Sequence, residues 1–450
     1  MALGKWTNEK QQDLFIAAAS LPRSPGHPFY QALNRLLAEA RFDAYVEELC
    51  APLYKEGGRP GVPPGVFFRM LFVGYFEGID SQRGIAWRCT DSLSLRSFLG
   101  LQPAEDCPDH SSLTVIRKRF PKELIEQVFA FVLKVAFTKK LLRGKTVGVD
   151  ATTLEANAAM KSIVRRDNGD TYRQYLAKLA KEAGIEDPTD ADLQRFDRKR
   201  KGKKASNDDW QSPSDPDARI TKMKDGTTHL AYKAEHAVDL DTNIVIAATI
   251  HSGDAADGET IKETVIDAQA YLQEATGQGD VIEGIAADKG YNKTETLVWA
   301  EERGLRTYIP EPEHTHGRRW TDKPATWQAA CYGTRRRCAR QKGKALQRTR
   351  SELVERTFAH VCGTGRARRS WIRGVVEIGK RYLMQVAAHN LGIILRKVFG
   401  VGTPRGLQGT SGTLRCRFAA IFVLVARFWP ANGDSSGFGR RNPDFLATAA

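Results

Sequence analysis

The stretch Lys145-Thr-Val-Gly-Val-Asp-Ala-Thr-Thr-Leu-Glu-Ala-Asn157 constrains this chain more than any other. Val147 and Val149 alternate with Thr146, Gly148 and Asp150, so a strand here puts the valines on one face and the aspartate on the other. A single aspartate at a strand end equally well caps the following turn. What Asp150 does is therefore decided by its partners elsewhere in the chain.

At 450 residues the chain has room for about two to three domains, and its 41% hydrophobic content is that of a soluble, cored protein. The formal charge of +15 calls for a polyanionic partner, nucleic acid or an anionic membrane face. Nucleic acid is favoured, because no apolar run reaches the roughly 18 residues of a membrane span. The longest, Phe418 to Ala426, stops at Arg427. Met1 to Lys10 is mixed and polar, without the apolar core of a secretion signal, and the expected location is cytoplasmic. The seven cysteines (50, 89, 107, 331, 338, 362 and 416) are odd in number and form no Cys-x-x-Cys pair. Neither a disulfide framework nor a zinc site follows from them, and the close pair Cys331 and Cys338 reads as free thiols.

The first 142 residues read as an all-helical domain. Phe29 to Cys50 has helical apolar spacing, Pro63-Pro64 opens a helix through Phe76, Ser81 caps another, and Asp109 to Ser112 offers caps for Leu113 to Phe120. Lys122 to Leu142 is a longer amphipathic helix. Arg83, Arg88, Arg117, Lys118 and Arg119 on such short helices suit helix-turn-helix contact with DNA, or are simply solvated. From about 165 to 217 the pattern degrades into a polar, charge-dense insertion that includes Arg195 to Lys204; it reads as an arm without a core of its own.

Sheet character then returns. His229 to Val238 and Ile244 to His251 flank the turn Asp239-Leu-Asp-Thr-Asn243; a helix spans Glu259 to Thr276, a strand runs through Val281 to Tyr291, a helix through Thr294 to Arg303, and a short strand through Arg306 to Pro310. Strand, hairpin, helix, strand, helix, strand, closed by a C-terminal helix, is the order of a ribonuclease H-like α/β domain, expected here over residues 143 to 400. In that layout the first strand lies beside the fourth, which brings Asp150 towards Asp288. A third carboxylate is expected from a late helix. Val354, Phe358 and Val361 form its apolar stripe, with Glu355 at the edge and Glu352 as the rival one turn earlier. Such a trio suits two Mg²⁺ ions, which need oxygen ligands from several segments to activate a water or 3′-hydroxyl and hold the leaving oxygen. Mn²⁺ would substitute. Between Arg335 and Arg381 stand fifteen Lys and Arg against three Glu, a local excess of +12 around Glu355 that suits phosphate contact. Trp320, Trp327 and Trp371 in the same region read as core, with base stacking as the other reading.

Gly148-Val-Asp-Ala-Thr152, Ala287-Asp-Lys-Gly-Tyr291 and Val354-Glu-Arg-Thr-Phe-Ala359 resemble the three catalytic-acid motifs of bacterial insertion-sequence transposases of the DDE class, in particular the group with a Tyr-Arg-Glu-Lys signature. Gly78 to Gly84, Phe98 to Leu101 and Pro108 to Leu113 resemble the helical domain that precedes the catalytic core in that family. The resemblance spans roughly His27 to Gly400. It implies metal-dependent cleavage and strand transfer of double-stranded DNA at terminal inverted repeats and a target, Asp150, Asp288 and Glu355 as metal ligands, a homodimer on paired ends, and action at the bacterial nucleoid. Ser351 and Cys362 stand where the signature has Arg and Lys. Arg348, Arg350, Arg356, Arg366, Arg368 and Arg369 are the candidates for that phosphate-contacting role, beside Arg117, Lys118 and Arg119 in the helical domain. The tail from 401 to 450 lies outside the resemblance. A ribonuclease H-like nuclease without strand transfer, and a non-catalytic DNA-binding derivative, are the alternatives.

Overall fold

The computed structural model describes residues 26–55, 57, 61–201, 206–223, 226–313 and 320–404. Seven α-helices come first: α1 (Pro28–Glu39), α2 (Phe42–Cys50), α3 (Pro64–Glu77), α4 (Gln82–Asp91), α5 (Leu93–Leu99), α6 (His110–Arg119) and α7 (Lys122–Thr138). Their starts are written in the sequence. Pro64 opens α3, while the side chains of Ser81, Ser92 and Asp109 accept from Gly84, Leu95 and Ser112 backbone amides at the starts of α4, α5 and α6. The run from Phe29 to Cys50 is two helices rather than one, because Arg41 between them adopts a left-handed φ of 57°. Helix α3 is buried along nearly its whole length, including Arg69, which is paired with Asp43.

The second half begins with β1 (Thr146–Glu155) and, after an insertion, continues through β4 (Arg219–Lys222), β5 (Thr228–Asp239), β6 (Val245–Ser252), α10 (Asp257–Thr276), β7 (Gly284–Ala287), α11 (Thr294–Glu302), β8 (Arg306–Tyr308), α12 (Ala325–Ala339), α13 (Gln341–Phe358) and α14 (Val375–Phe399). The sheet order is β4-β5-β1-β7-β8, with β6 also on β5. Strand β5 is antiparallel to β1, β4 and β6, whereas β1, β7 and β8 are parallel. This mixed order is the ribonuclease H-like arrangement expected from the sequence. The β5–β6 turn is built on Asp239, whose buried carboxylate accepts from Asp241 N, Thr242 Oγ1, Arg143 N and Gly144 N. One aspartate thus shapes the hairpin and ties it to the entrance of β1.

The insertion differs from the sequence expectation. It contains β2 (Val164–Arg165) paired with β3 (Trp210–Gln211), and helices α8 (Tyr172–Glu182) and α9 (Asp190–Lys199), each opened by a Thr capping box. Leu176, Ala180 and Leu193 pack together with Tyr172, Ile185 and Phe196 as a small cluster of their own. Amphipathic spacing on two capped helices outweighs the polar composition. Residues 202–205 of the basic run lie outside the described residues, as do 405–450 with Cys416 and the Phe418 to Ala426 run. No described helix is long and apolar enough to cross a membrane. No described cysteine is in a disulfide.

The helices and the sheet share one core, running from Phe29 through α3 and α7 to β1, β5, β6 and α14. His236 and His389 are buried in it. The His389 Nδ1 on α14 is 3.0 Å from the Tyr75 hydroxyl of α3, and His236 on β5 lies between the Thr357 hydroxyl of α13 at 2.9 Å and the Tyr382 hydroxyl of α14 at 2.8 Å. Burial pushes His389 down to about 3, helped by His360 and Arg396, and holds His236 well below the usual range. A histidine held neutral in the fold protonates freely when unfolded. Its contribution is therefore complete above about pH 6.5 and is lost progressively as pH falls towards 3. The expected result is that His389→Gln, compared with wild type by urea unfolding, gains relative stability as pH drops from 7 to 4.5, by about 1–3 kcal/mol. A difference between the two proteins that does not change with pH would contradict this.

Candidate functional site

Strands β1 and β7 are paired in parallel with Val149 opposite Ala287. The next residue on each strand is an aspartate, so Asp150 and Asp288 leave the sheet side by side on strands ~4.8 Å apart. Strand β7 is shorter than its apolar sequence run suggests. It ends at Ala287 because Asp288 turns the chain, accepting from Lys289 N at the start of a single 3₁₀ turn, Lys289–Tyr291. Asp288 is exposed and Asp150 partly so.

That turn is anchored from below. The Tyr291 hydroxyl donates to Glu235 Oε1 at 2.8 Å, and Glu235 is fully buried on β5, accepting also from the hydroxyls of Thr260 and Thr264 on α10. Lys233 bridges this group to the start of α10, with Nζ 2.6 Å from Asp257 Oδ1 and 2.9 Å from Thr260 Oγ1. A Cβ at Gly290 would fall 2.7 Å from Asp257 Oδ2, so glycine lets the turn close down on this cluster. Burial raises the Glu235 carboxyl and, joined by the Glu235, Asp257 and Asp150 charges, raises the Tyr291 hydroxyl above its usual range. None of this was singled out from sequence. The available signal was Lys233 and Glu235 sharing one face of the strand.

Helix α13 crosses the same sheet on the other face, from β8 over β1 to β5. It can approach closely because residue 148 is glycine. A Cβ there would lie 2.6 Å from Leu240 Cδ2 and 3.1 Å from both Arg350 Cγ and Val354 Cγ2. Gln347 Nε2 donates to the carbonyls of Ala287, at 3.2 Å, and Tyr308. Arg350 Nη1 meets Asp150 Oδ2 at 2.7 Å, while Asp150 Oδ1 accepts from Ala151 N. Further along, Thr357 and Phe358 clasp His236, whose ring stacks on Phe358 with centroids 4.1 Å apart and whose backbone is paired with Asp150.

Gln347, Ser351 and Glu355 follow one another at i+4 spacing, so they form one ridge of α13. Its first member touches the end of β7. Glu355 is exposed on that ridge and accepts from Ser351 Oγ at 3.2 Å. Glu352 is exposed and paired with Arg356. Among the described residues no three carboxylate, histidine or cysteine side chains converge closely enough to hold a metal ion. The structure therefore brings Asp150 and Asp288 together and leaves Glu355 apart, with the Arg350 guanidinium against Asp150. Two adjacent carboxylates, one of them exposed, are a donor set that fits a hard divalent cation, since such ions are commonly held by one or two carboxylates with water and substrate oxygens.

The basic candidates divide. Arg350 is buried on Asp150, and Arg117 is ion-paired with Glu377 of α14, so both guanidinium groups are committed inside the protein. Arg356 is tied to Glu352, Arg119 lies 5.1 Å over the Tyr54 ring, and Arg369 lies 4.8 Å over Trp371 and 3.7 Å from Glu155. Lys118, Arg348, Arg366 and Arg368 are exposed. Trp371 is 49% exposed with its indole N–H on Asp80, which corrects the expectation that it belongs to the core.

Removing the Tyr291 hydroxyl leaves the buried Glu235 carboxylate with one donor fewer, at a cost of about 1–3 kcal/mol. Tyr291→Phe is thus expected to lower the unfolding midpoint measurably in urea, whereas Lys289→Ala on the exposed side of the same turn should not. Equal midpoints for Tyr291→Phe and wild type would rule out the anchoring role.

Residues 20–119 match the family model described as a transposase domain (DUF772), and residues 181–391 match the transposase DDE domain. No curated protein matches the chain in sequence. Two solved structures show a loose likeness: the Mos1 transposase paired-end complex with left transposon end, and a pre-cleavage Mos1 transpososome. Each is 10% identical over 69% of this chain and 82% of the other, with a TM-score of 0.18. At that score the superposition carries no argument. The two family matches follow each other in the order of a helical domain and a ribonuclease H-like domain, and the chain carries both domains of a DDE transposase.

Proposed function

We propose that Asp150, Asp288 and Glu355 are the catalytic carboxylates of this transposase and together hold two Mg²⁺ ions, with Mn²⁺ as a substitute. The observation that carries the reading is the register of β1 on β7, which sets Asp150 beside Asp288. Divalent ions bound there supply activation of a water or 3′-hydroxyl and stabilisation of the leaving oxygen. A divalent ion would compete with the Arg350 guanidinium for the Asp150 carboxylate. The Asp288 turn is held by Tyr291 and Glu235, so the second carboxylate is presented on an anchored rather than a loose segment. Glu355 stands on the α13 ridge that begins at the end of β7, which favours it over Glu352, paired with Arg356 off that ridge. Lys118, Arg348, Arg366 and Arg368 are exposed and take the DNA phosphates. The duplex carries the element's terminal inverted repeats, the product strand joins a target duplex on the bacterial chromosome in the cytoplasm, and a homodimer pairs the two ends.

The test is a nicking and strand-joining assay on an end-containing duplex. Asp150→Asn, Asp288→Asn and Glu355→Gln are each expected to reduce cleavage beyond about 100-fold, because the loss falls on transition-state charge. Gel-shift affinity should stay within about threefold of wild type. Glu352→Gln removes only an exposed i,i+4 pair worth about 0.3–0.5 kcal/mol and should cut normally. An active Glu355→Gln beside an inactive Glu352→Gln would move the third carboxylate by one helical turn; normal cutting by Asp150→Asn would overturn the site.

A further inference from the structure

A second concave, charged feature lies away from the carboxylates. Where the edge strand β8 meets the junction of α12 and α13, a cleft of about 550 Å³ is walled by Arg306, Arg336, Arg337, Arg340 and Lys342, and no acidic side chain lines it. Arg337 forms the fixed wall. Its Nε donates to Thr307 O at 3.0 Å and its Nη2 to the hydroxyls of Thr307 and Thr334 at 3.0 and 3.1 Å. Arg306, Arg336, Arg340 and Lys342 are exposed, and among the described residues none of them is in an ion pair. Other exposed arginines of the neighbourhood are paired, as Arg335 is with Glu311. Four uncompensated cations facing one concavity repel one another, and the cavity walls focus their field. The arrangement costs free energy in the isolated protein and is relieved by an anion.

The backbone adds to the field. Helix α13, 18 residues long, starts in this cleft with Arg340 as its extended N-cap and with no side chain capping its first amides. A Cβ at Gly343 would fall 2.2 Å from Arg337 O, so this glycine lets the start of α13 sit directly against the end of α12, beside the fixed guanidinium. The cleft therefore joins a helix N-terminus to side-chain cations, all of one sign.

Its position limits the occupant. Arg306 is paired with Gly284, four residues before Asp288 on the parallel strands, which places the cleft roughly 13 Å from the carboxylate end at about 3.3 Å per residue. Duplex DNA advances about 3.4 Å per base pair on each strand and carries phosphates throughout. A duplex with one phosphate at Asp150 and Asp288 has further phosphates at that distance, some four base pairs away. We infer that this cleft is a second phosphate-binding site, and that its occupant is the sugar-phosphate backbone of the DNA beyond the reacting phosphate. The inference rests on the proposed carboxylate site only for the position of the reacting phosphate. It assigns to Arg336, Arg340 and Lys342 a role in holding DNA that is independent of base sequence.

The experiment compares wild type with the triple variant Arg336→Gln, Arg340→Gln, Lys342→Gln, after thermal unfolding shows the two equally folded. Binding is measured by fluorescence anisotropy over a salt series on two duplexes, one ending at the cleavage position and one extending ten base pairs past it on both sides. The expected result is a loss of at least tenfold on the longer duplex at moderate salt. Its salt slope should fall by about two to three, near one for each phosphate contact removed, with a smaller change on the short duplex. Unchanged affinity and slope on the longer duplex would overturn the inference. So would protection of wild type alone by inorganic phosphate or pyrophosphate against thermal unfolding while DNA binding is unaltered, which would mark a small-anion pocket. Asp150→Asn in the same titration separates the two readings. If it still cleaves, the carboxylate site fails, and the salt slopes judge the cleft on their own.

Discussion

The parallel pairing of β1 with β7 is the constraint on which the rest of the site depends. Because Val149 faces Ala287 across the ladder, the aspartates that follow on both strands leave the sheet at the same height. A slip of one residue would send one carboxylate to the opposite face. The register is held at several points. Lys145 O accepts from both Glu283 N and Gly284 N at the strand starts, and Lys145 pairs with Glu283 at 3.2 Å. The Asp239 carboxylate clamps Arg143 and Gly144 just before β1 begins. The two paired strand starts and the Asp239 hairpin thus fix the spacing of two charges that would otherwise repel.

Both faces of the sheet are then used to steady what the register has placed. On one face Tyr291, Glu235 and the threonines of α10 hold the turn that carries Asp288. On the other, Gly148 lets α13 approach until Arg350 meets Asp150 and Thr357 meets His236. His236 in turn reaches Tyr382 of α14, and α14 bears Lys380, whose Nζ donates to the carbonyls of Arg117 and Phe120 at the end of α6. The helical region and the catalytic sheet are therefore continuous through α14.

Much of this was legible in the sequence. Alternation around Asp150, the turn chemistry of Asp239 to Asn243, the caps at Ser81 and Asp109, and the order of strands and helices are local signals, and the structure carries each of them. The three acidic motifs in order pointed to the transposase family. What sequence reading missed is set by three-dimensional pairing. Arg350 and Arg117 look like free cations along the chain, yet each finds a carboxylate more than 190 residues away in sequence. Glu235 looks like an ordinary polar strand position until α10 and the Asp288 turn close over it. The insertion from 165 to 217 was underestimated because its composition is polar, while two Thr-capped helices with matched apolar ridges fold against each other.

The central claim is that the strand register makes Asp150 and Asp288 a shared cation site. Crystals of the protein with an end-containing duplex, soaked in Mn²⁺ and measured at an energy where manganese scatters anomalously, test it most directly. The account predicts an anomalous peak bound by both Asp150 and Asp288, with Arg350 displaced from Asp150. Strong manganese peaks elsewhere, with Arg350 still seated on Asp150 and none between the two aspartates, would contradict it.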